Sequence, residues 1–173
     1  AICSPTRASL FTGVYPSQHG MVDCAHAVPE YRAELRAYLE MWSQRLAAHG
    51  YQMGYFGKWH VERSENLERF GFGEYDVDGS GSSGYPAHRR SLGLPPQPRD
   101  YVTRYAVPHP GYPDYLLYGA YDEPVQGTRA WYDYEHGIDF VRRAARTDRP
   151  WCAFVSSGWP GDPHSVPLAY YQR

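Results

Sequence analysis

The chain has 173 residues, and 17 lysines and arginines against 19 aspartates and glutamates give a formal net charge of -2. This length suits one domain with one sizeable core, and the absence of a basic excess disfavours general nucleic-acid binding. No apolar run approaches the ~20 residues that cross a bilayer, so we expect no membrane span. Three cysteines are too few for a disulfide scaffold.

The first predicted element is a short helix from Ser4 to Gly13. Ser4 is the expected cap, Pro5 lies in the first turn, and Gly13 ends the helix. A second helix is predicted between Pro29 and Gly50, where apolar residues recur at helical spacing.

Residues 51–56 predict a short aromatic strand that ends at Gly57. From 78 to about 128 the periodicity disappears among glycines and prolines, so we expect a long irregular insertion or lid. Three further elements follow, namely a helix at 131–146, a buried strand at 151–157 and a loop at 158–167. This order predicts an α/β fold in which helices flank a mostly parallel, or mixed, sheet.

Cys3 and Arg7 are four residues apart in the first predicted helix, so their side chains share one face. The free N–H groups at the helix N-terminus favour an anion beside Cys3, although the spacing also fits a small buried thiol beside a surface arginine. A C-x5-R phosphatase loop is excluded because the required arginine position is Ser9. Zinc is poorly supported, since Cys24 and His26 alone supply too few ligands.

Lys58 and His60 follow the 51–56 strand and are two residues apart, so both should point to one side while Trp59 points to the other. Open α/β sheets bind ligands at this carboxyl edge. His164 follows the last predicted strand in a proline-rich loop. Each of these residues also fits an ordinary surface position. We predict that five side chains converge on one pocket, those of Cys3, Arg7, Lys58, His60 and His164.

Two motifs resemble those of a known family. The segment CSPTRASLFTGVYPSQHG, with C-x-P-[ST]-R at Cys3–Arg7, is similar to the signature of the type I, formylglycine-dependent sulfatases in the alkaline phosphatase superfamily. GKWH at 57–60 is similar to their second motif, and FVSSGWPGDPHSVP is a weaker likeness. The resemblance implies that residues 1–173 are an internal part of a sulfatase N-terminal catalytic domain, with the insertion at 78–128.

The resemblance also implies a mechanism. A formylglycine-generating enzyme would convert Cys3 to formylglycine, whose hydrate attacks the sulfur of a small-molecule or carbohydrate sulfate ester. Arg7, Lys58 and His60 would stabilise charge, with Lys58 binding sulfate and His60 assisting the elimination. His164 would bind substrate and protonate the leaving oxygen.

The resemblance also implies a bound divalent cation, which in this family is usually calcium. The formylglycine oxygen at position 3 would be its one ligand in this chain. The family's remaining ligands, an aspartate pair before the cysteine motif and an Asp-Asn or Asp-His pair far beyond it, are not found here. We therefore expect the chain alone to bind calcium weakly or not at all. Two alternatives are a phosphonate monoester or phosphodiester hydrolase of the same superfamily and a truncated, non-catalytic fragment.

Overall fold

The computed structural model describes residues 2–96, 101–108, 110, 115–158 and 164–171. Its helices are α1 (Cys3–Thr12), α2 (Pro16–His19), α3 (Trp42–Ala48), α4 (Tyr85–Ser91), α5 (Arg129–Ala144) and α6 (Leu168–Tyr171). Its strands are β1 (Gln52–Gly57), β2 (Glu74–Val77), β3 (Thr103–Val107), β4 (Tyr115–Tyr121), β5 (Trp151–Ser156) and β6 (His164–Pro167).

The first sheet has the order β2–β1–β5, with both neighbours parallel to β1. Side chains alternate along a strand, so each face of β1 contacts a different layer. Tyr55 packs against Phe11 of α1 and stacks on Phe154 of β5. On the other face, Phe56 packs against Phe140 of α5. Helices therefore cover both faces of the central strand, which explains its nearly continuous burial.

The second sheet has the order β3–β4–β6, with β3 antiparallel and β6 parallel to β4. The predicted class, α/β with parallel and mixed sheets flanked by helices, is confirmed. Among the described residues, no helix combines the length and the apolar character that crossing a membrane requires.

A buried network of charged and polar groups joins α5 to the end of β2; we call it the Asp76 network. The Arg129 guanidinium pairs with Asp76 at 2.9 Å and with Asp133 at 2.7 Å. The Tyr132 and Ser83 hydroxyls donate to the Asp76 carboxylate at 2.7 and 2.6 Å. These bonds hold the Asp76 pKa below its usual value, although burial alone would raise it.

The first helix lies where the sequence predicts it, but its cap differs. Ile2 is the N-cap and Ser4 lies inside the helix, fully buried. The Ser4 hydroxyl instead accepts a hydrogen bond of 3.1 Å from the backbone N–H of Ala25. Gly13 ends the helix with φ of 74°, as predicted. The serine thus connects the helix to a distant turn and does not accept a hydrogen bond from the free N–H groups of the first helical turn.

The predicted helix at 29–50 is wrong over most of its length. Only α3 is helical there, preceded by a single 3-10 turn at Glu30–Arg32. The Arg63 guanidinium donates to the carbonyl oxygens of Val28 and Ala33 at 2.5 and 2.9 Å. These contacts from a distant arginine satisfy backbone groups that a helix would otherwise use, so tertiary structure overrides the local periodicity.

The segment at 78–128 is more regular than predicted, because it contains α4, β3 and β4. The glycines and prolines in this segment hid the sequence pattern of two short strands, β3 and β4. The rings of Tyr105 in β3 and Tyr118 in β4 stack with their centroids 5.3 Å apart. A buried ion pair of 2.8 Å between Arg89 and Glu123 connects α4 to the residues after β4. Residues 97–100, 109 and 111–114 lie outside the described part. That this segment is an insertion stays a prediction.

The last elements agree with the sequence except at the end. The predicted helix and strand correspond to α5 and β5. Residues 159–163 of the expected loop lie outside the described residues, and residues 164–167 form β6. His164 therefore begins a strand, and the prediction that it lies in a loop is wrong.

Candidate active site

Cys3, Cys24 and His60 form a compact group at the start of α1, which we call the thiol–imidazole cluster. The two Sγ atoms are 3.5 Å apart. One ring nitrogen of His60 and both sulfurs lie within 4.8 Å of one another. The turn that carries Cys24 is held against α1 by the Ala25–Ser4 hydrogen bond. All three cluster side chains are partly accessible to solvent.

Arg7 connects α1 to the carboxyl ends of β1 and β5. Its Nη1 donates to the Lys58 carbonyl and to the Ser156 hydroxyl, each at 2.8 Å, and lies 3.3 Å from the Tyr55 hydroxyl. All of these acceptors are neutral. Among the described residues, no carboxylate forms an ion pair with Arg7 or with Lys58. Within the described part of the chain, these two cations therefore have no ion-pair partner, an arrangement that favours an anionic ligand.

The backbone at the end of β1 fixes the direction of the side chains that follow. Gly57 has φ of 101°, and a Cβ at this position would collide with the Ser156 carbonyl oxygen, so only glycine fits. The Lys58 N–H donates to that carbonyl at 2.7 Å. Trp59 is 1% exposed in the core, whereas Lys58 and His60 are partly exposed. Burial thus separates Trp59 from its two neighbours, and the directions of the three side chains stay a prediction.

His60 is held in an unfavourable environment. Its φ of 48° is the only positive value among the described non-glycine residues, and such strain costs about 1–3 kcal/mol. Its Nδ1 is buried without a hydrogen-bond partner among the described residues, and its ring lies 4.4 Å from that of His26. Burial, followed by the charges of Lys58, His26 and Arg7, lowers its pKa to about 4. His60 is thus a neutral imidazole at neutral pH.

Cys24 and His26 are the site residues that the sequence did not identify. Burial raises the Cys24 pKa, but hydrogen bonds with Cys3, with the His26 backbone and with Ser4 outweigh it, so the pKa is lowered. Cys24 is 21 residues from Cys3, and no sequence spacing predicts that the two sulfurs meet. Their proximity depends on the turn that Ser4 anchors.

His164 lies on the second sheet, where it pairs in register with Tyr118 of β4. It lines a cavity of about 790 Å³ between this sheet and α5, together with Tyr121, Trp131 and Ile138. The structure thus brings Cys3, Arg7, Lys58 and His60 together and places His164 at a different cavity. Its expected place in the common pocket is not observed, and its role as an acid stays a prediction.

The described residues do not fit a calcium site at Cys3. Calcium prefers ~6–8 oxygen ligands, whereas the groups that surround the Cys3 sulfur are a second thiol and an imidazole. Such soft and borderline donors suit other metals.

The family model described as Sulfatase matches residues 1–172, so the chain belongs to the sulfatase family, which is part of the alkaline phosphatase superfamily. The curated relatives span more than this region: the chain covers 28% and 31% of two of them.

Three relatives illustrate the similarity. The Ulvan-active sulfatase of Formosa agariphila is 29% identical over 176 residues, which cover 98% of this chain and 28% of that protein. Phosphonate monoester hydrolase SpPMH from Silicibacter pomeroyi superposes with a TM-score of 0.67 at 19% identity, over 98% of this chain and 34% of that one. The putative sulfatase yidJ from Bacteroides fragilis superposes with a TM-score of 0.61 at 21% sequence identity, over 99% of this chain and 37% of that one. At these identities the two solved structures establish the fold.

Proposed function

We propose that the protein containing this chain hydrolyses sulfate esters and that Cys3 provides its nucleophile after conversion to formylglycine. The observation that carries the proposal is the pair of cations, Arg7 and Lys58, that lie beside Cys3 without a carboxylate partner among the described residues. A sulfate ester supplies the missing negative charge. Conversion of Cys3 would supply a hydrated aldehyde whose hydroxyl attacks sulfur.

Arg7 and Lys58 stabilise negative charge in this proposal. Arg7 is fixed by the Lys58 carbonyl and the Ser156 hydroxyl, so its position changes little when substrate binds. A preorganised cation of this kind is most effective where charge develops in the transition state. The charge of Lys58 lowers the pKa of His60, which supports a position of the ammonium group near His60.

His60 is the proposed proton acceptor when sulfate leaves residue 3. A neutral imidazole can take the proton from the second hydroxyl of the hydrate, and a pKa near 4 keeps it neutral over the physiological range. So low a pKa makes a weak base, and in this proposal the negative charge of bound sulfate raises the pKa and strengthens the base. The backbone strain at His60 supports a functional position, because strained residues persist where they serve a site. For His164 we retain the role of leaving-group acid, supported by the sequence resemblance alone.

The substrate class is a sulfate ester of a small molecule or carbohydrate, as in the Ulvan-active sulfatase named above. A phosphonate monoester is the second candidate, since two cations that lack a carboxylate partner in the described ranges would accept a phosphonate as well. The discriminating experiment measures kcat/KM of the full-length protein, produced with a formylglycine-generating enzyme, on an aryl sulfate and on the matching aryl phosphonate monoester. Higher efficiency on the sulfate supports the proposal, and the reverse order supports the alternative.

Lys58→Met tests the sulfate contact in the same assay. It keeps much of the aliphatic stem and removes the charge, so we expect kcat/KM on the sulfate to fall by roughly 100-fold. Arg45→Met is the matched control, because Arg45 pairs with Glu40 on the surface and its side chain is 71% exposed. Equal effects of the two substitutions would exclude a specific role for Lys58.

A further inference from the structure

We propose that the protein with Cys3 still unconverted carries a site for a soft divalent cation such as Zn²⁺, formed by Cys3, Cys24 and His60. This site goes beyond the proposed hydrolysis, because it exists only while residue 3 is a thiol. The three groups come from separate parts of the chain: the N-terminus of α1, the turn after α2, and the segment after β1.

The geometry is close to that of zinc ligands. Two thiolates at Zn–S distances of about 2.3 Å in a tetrahedral site lie about 3.8 Å apart. The observed separation of the Cys3 and Cys24 sulfurs is 3.5 Å. The His60 ring nitrogen is within 4.8 Å of both sulfurs, so a side-chain movement of about 1 Å closes the coordination sphere. A water or His26, whose ring lies 4.4 Å from the His60 ring, is available as the fourth ligand.

The donor chemistry and the charge balance agree with the geometry. Thiolate and imidazole are the ligands that Zn²⁺ prefers, whereas calcium requires oxygen. On binding, each thiol loses its proton to solvent, so the two thiolates neutralise the 2+ charge of the metal. The neutral product creates little repulsion with Arg7 and Lys58. A bound metal also gives a partner to the His60 imidazole, whose Nδ1 has none among the described residues.

Metal binding and conversion of Cys3 use the same sulfur, so each excludes the other. A chain that has bound zinc keeps Cys3 as a thiolate, and a converted chain has lost one of its two sulfur ligands. The proposal therefore predicts that unconverted protein binds zinc at this site and that converted protein does not.

Cobalt alone is the probe for this site, because thiolate–Co²⁺ complexes absorb by sulfur-to-metal charge transfer. We expect the full-length, reduced, unconverted protein to gain this band with one Co²⁺ per chain and to lose it when Zn²⁺ is added. Cys24→Ser should lose the band, and Cys152→Ser should keep it. Cys152 is the matched control because it is also a partly buried cysteine but lies in β5, opposite Met53.

Two results would overturn the proposal: no charge-transfer band in the wild type, or equal loss of the band in Cys24→Ser and Cys152→Ser. Circular dichroism checks that each variant folds. If Cys24→Ser does not fold, His60→Ala provides the second test, because it keeps both sulfurs and should weaken Co²⁺ binding; unchanged binding would remove His60 from the site. Wild-type protein converted at Cys3 should show no band, a result that hydrolase activity does not influence.

Discussion

Two polar regions lie near the carboxyl ends of the strands in the first sheet, and they differ in the groups that surround their arginines. In the Asp76 network, Arg129 pairs with three carboxylates, those of Asp76, Asp78 and Asp133, and the Tyr132 and Ser83 hydroxyls donate to Asp76. Beside Cys3, Arg7 is held only by neutral oxygens among the described residues.

The difference indicates which charges serve folding and which are available to a ligand. Breaking a buried ion pair leaves an uncompensated charge and is costly, so a paired arginine is a structural element. An arginine that neutral groups fix in place keeps its full charge for an incoming anion. The comparison therefore predicts that substitutions in the Asp76 network lower stability, whereas substitutions beside Cys3 lower activity.

The largest expected effect is at Cys3. In the full-length protein produced with a formylglycine-generating enzyme, Cys3→Ala should reduce kcat on an aryl sulfate by roughly 10⁴-fold or more, because the nucleophile is removed. Its urea-unfolding midpoint should change little, since Cys3 is only partly buried. Cys152→Ser should retain activity. Substantial turnover by Cys3→Ala would exclude this residue as the source of the nucleophile.

The second prediction compares the two regions directly. Arg7→Met should lower kcat by about 100- to 1000-fold through the loss of charge stabilisation. Asp76→Asn should instead lower the free energy of unfolding by about 3 kcal/mol, because Arg129 loses a buried partner. Urea unfolding and steady-state kinetics of both variants measure the two effects. If Asp76→Asn abolished the activity of folded protein while stability stayed constant, the distinction between the regions would be wrong.

The third prediction concerns His164. If it protonates the leaving oxygen, His164→Ala should lose roughly 100-fold in kcat on a sugar sulfate and much less on a nitrophenyl sulfate, whose phenolate departs without a proton. Equal losses on both substrates would indicate sulfate binding instead. No loss on either would agree with the position of His164 at the cavity beside α5.

The sequence predicted the site best where one local pattern determines one local geometry. Gly13 ends α1, and Gly57 fixes the turn after β1, so the positions of Cys3, Arg7, Lys58 and His60 follow from their own segments. The α/β class is predictable for the same reason, since α5 has a clear helical periodicity and β5 is a short, mostly apolar run.

The errors arise where distant contacts decide the structure. Arg63 fixes the backbone at Val28 and Ala33 and prevents the predicted helix, although it is some thirty residues away. Cys24 reaches Cys3 only because its neighbour Ala25 bonds to Ser4. Neither contact leaves a periodic signal in the sequence.

The smallest expected effect tests the pH dependence of the Asp76 network. Burial raises the pKa of Asp133 to about 7, although Arg129 opposes the shift. Between its ordinary value near 3.8 and about 7, the folded state keeps a proton that the unfolded state has lost, so the folded state binds more protons. The contribution of Asp133 to the free energy of unfolding should therefore fall as pH rises from about 4 to 7, by at most ~1.4 kcal/mol per pH unit, and then level off. His60, whose pKa is lowered to about 4, contributes in the opposite direction, so the effect of Asp133 is measured as a difference between variants.

Asp133→Asn keeps the shape of the side chain and removes its titration. Urea unfolding at several pH values should show a more positive slope of the free energy of unfolding against pH for this variant than for the wild type between pH 4 and 7. Asp139→Asn is the matched control, because Asp139 lies on the same helix with its side chain 63% exposed and should leave the slope unchanged. Equal slopes in Asp133→Asn and the wild type would show that Asp133 is already ionised in the folded protein.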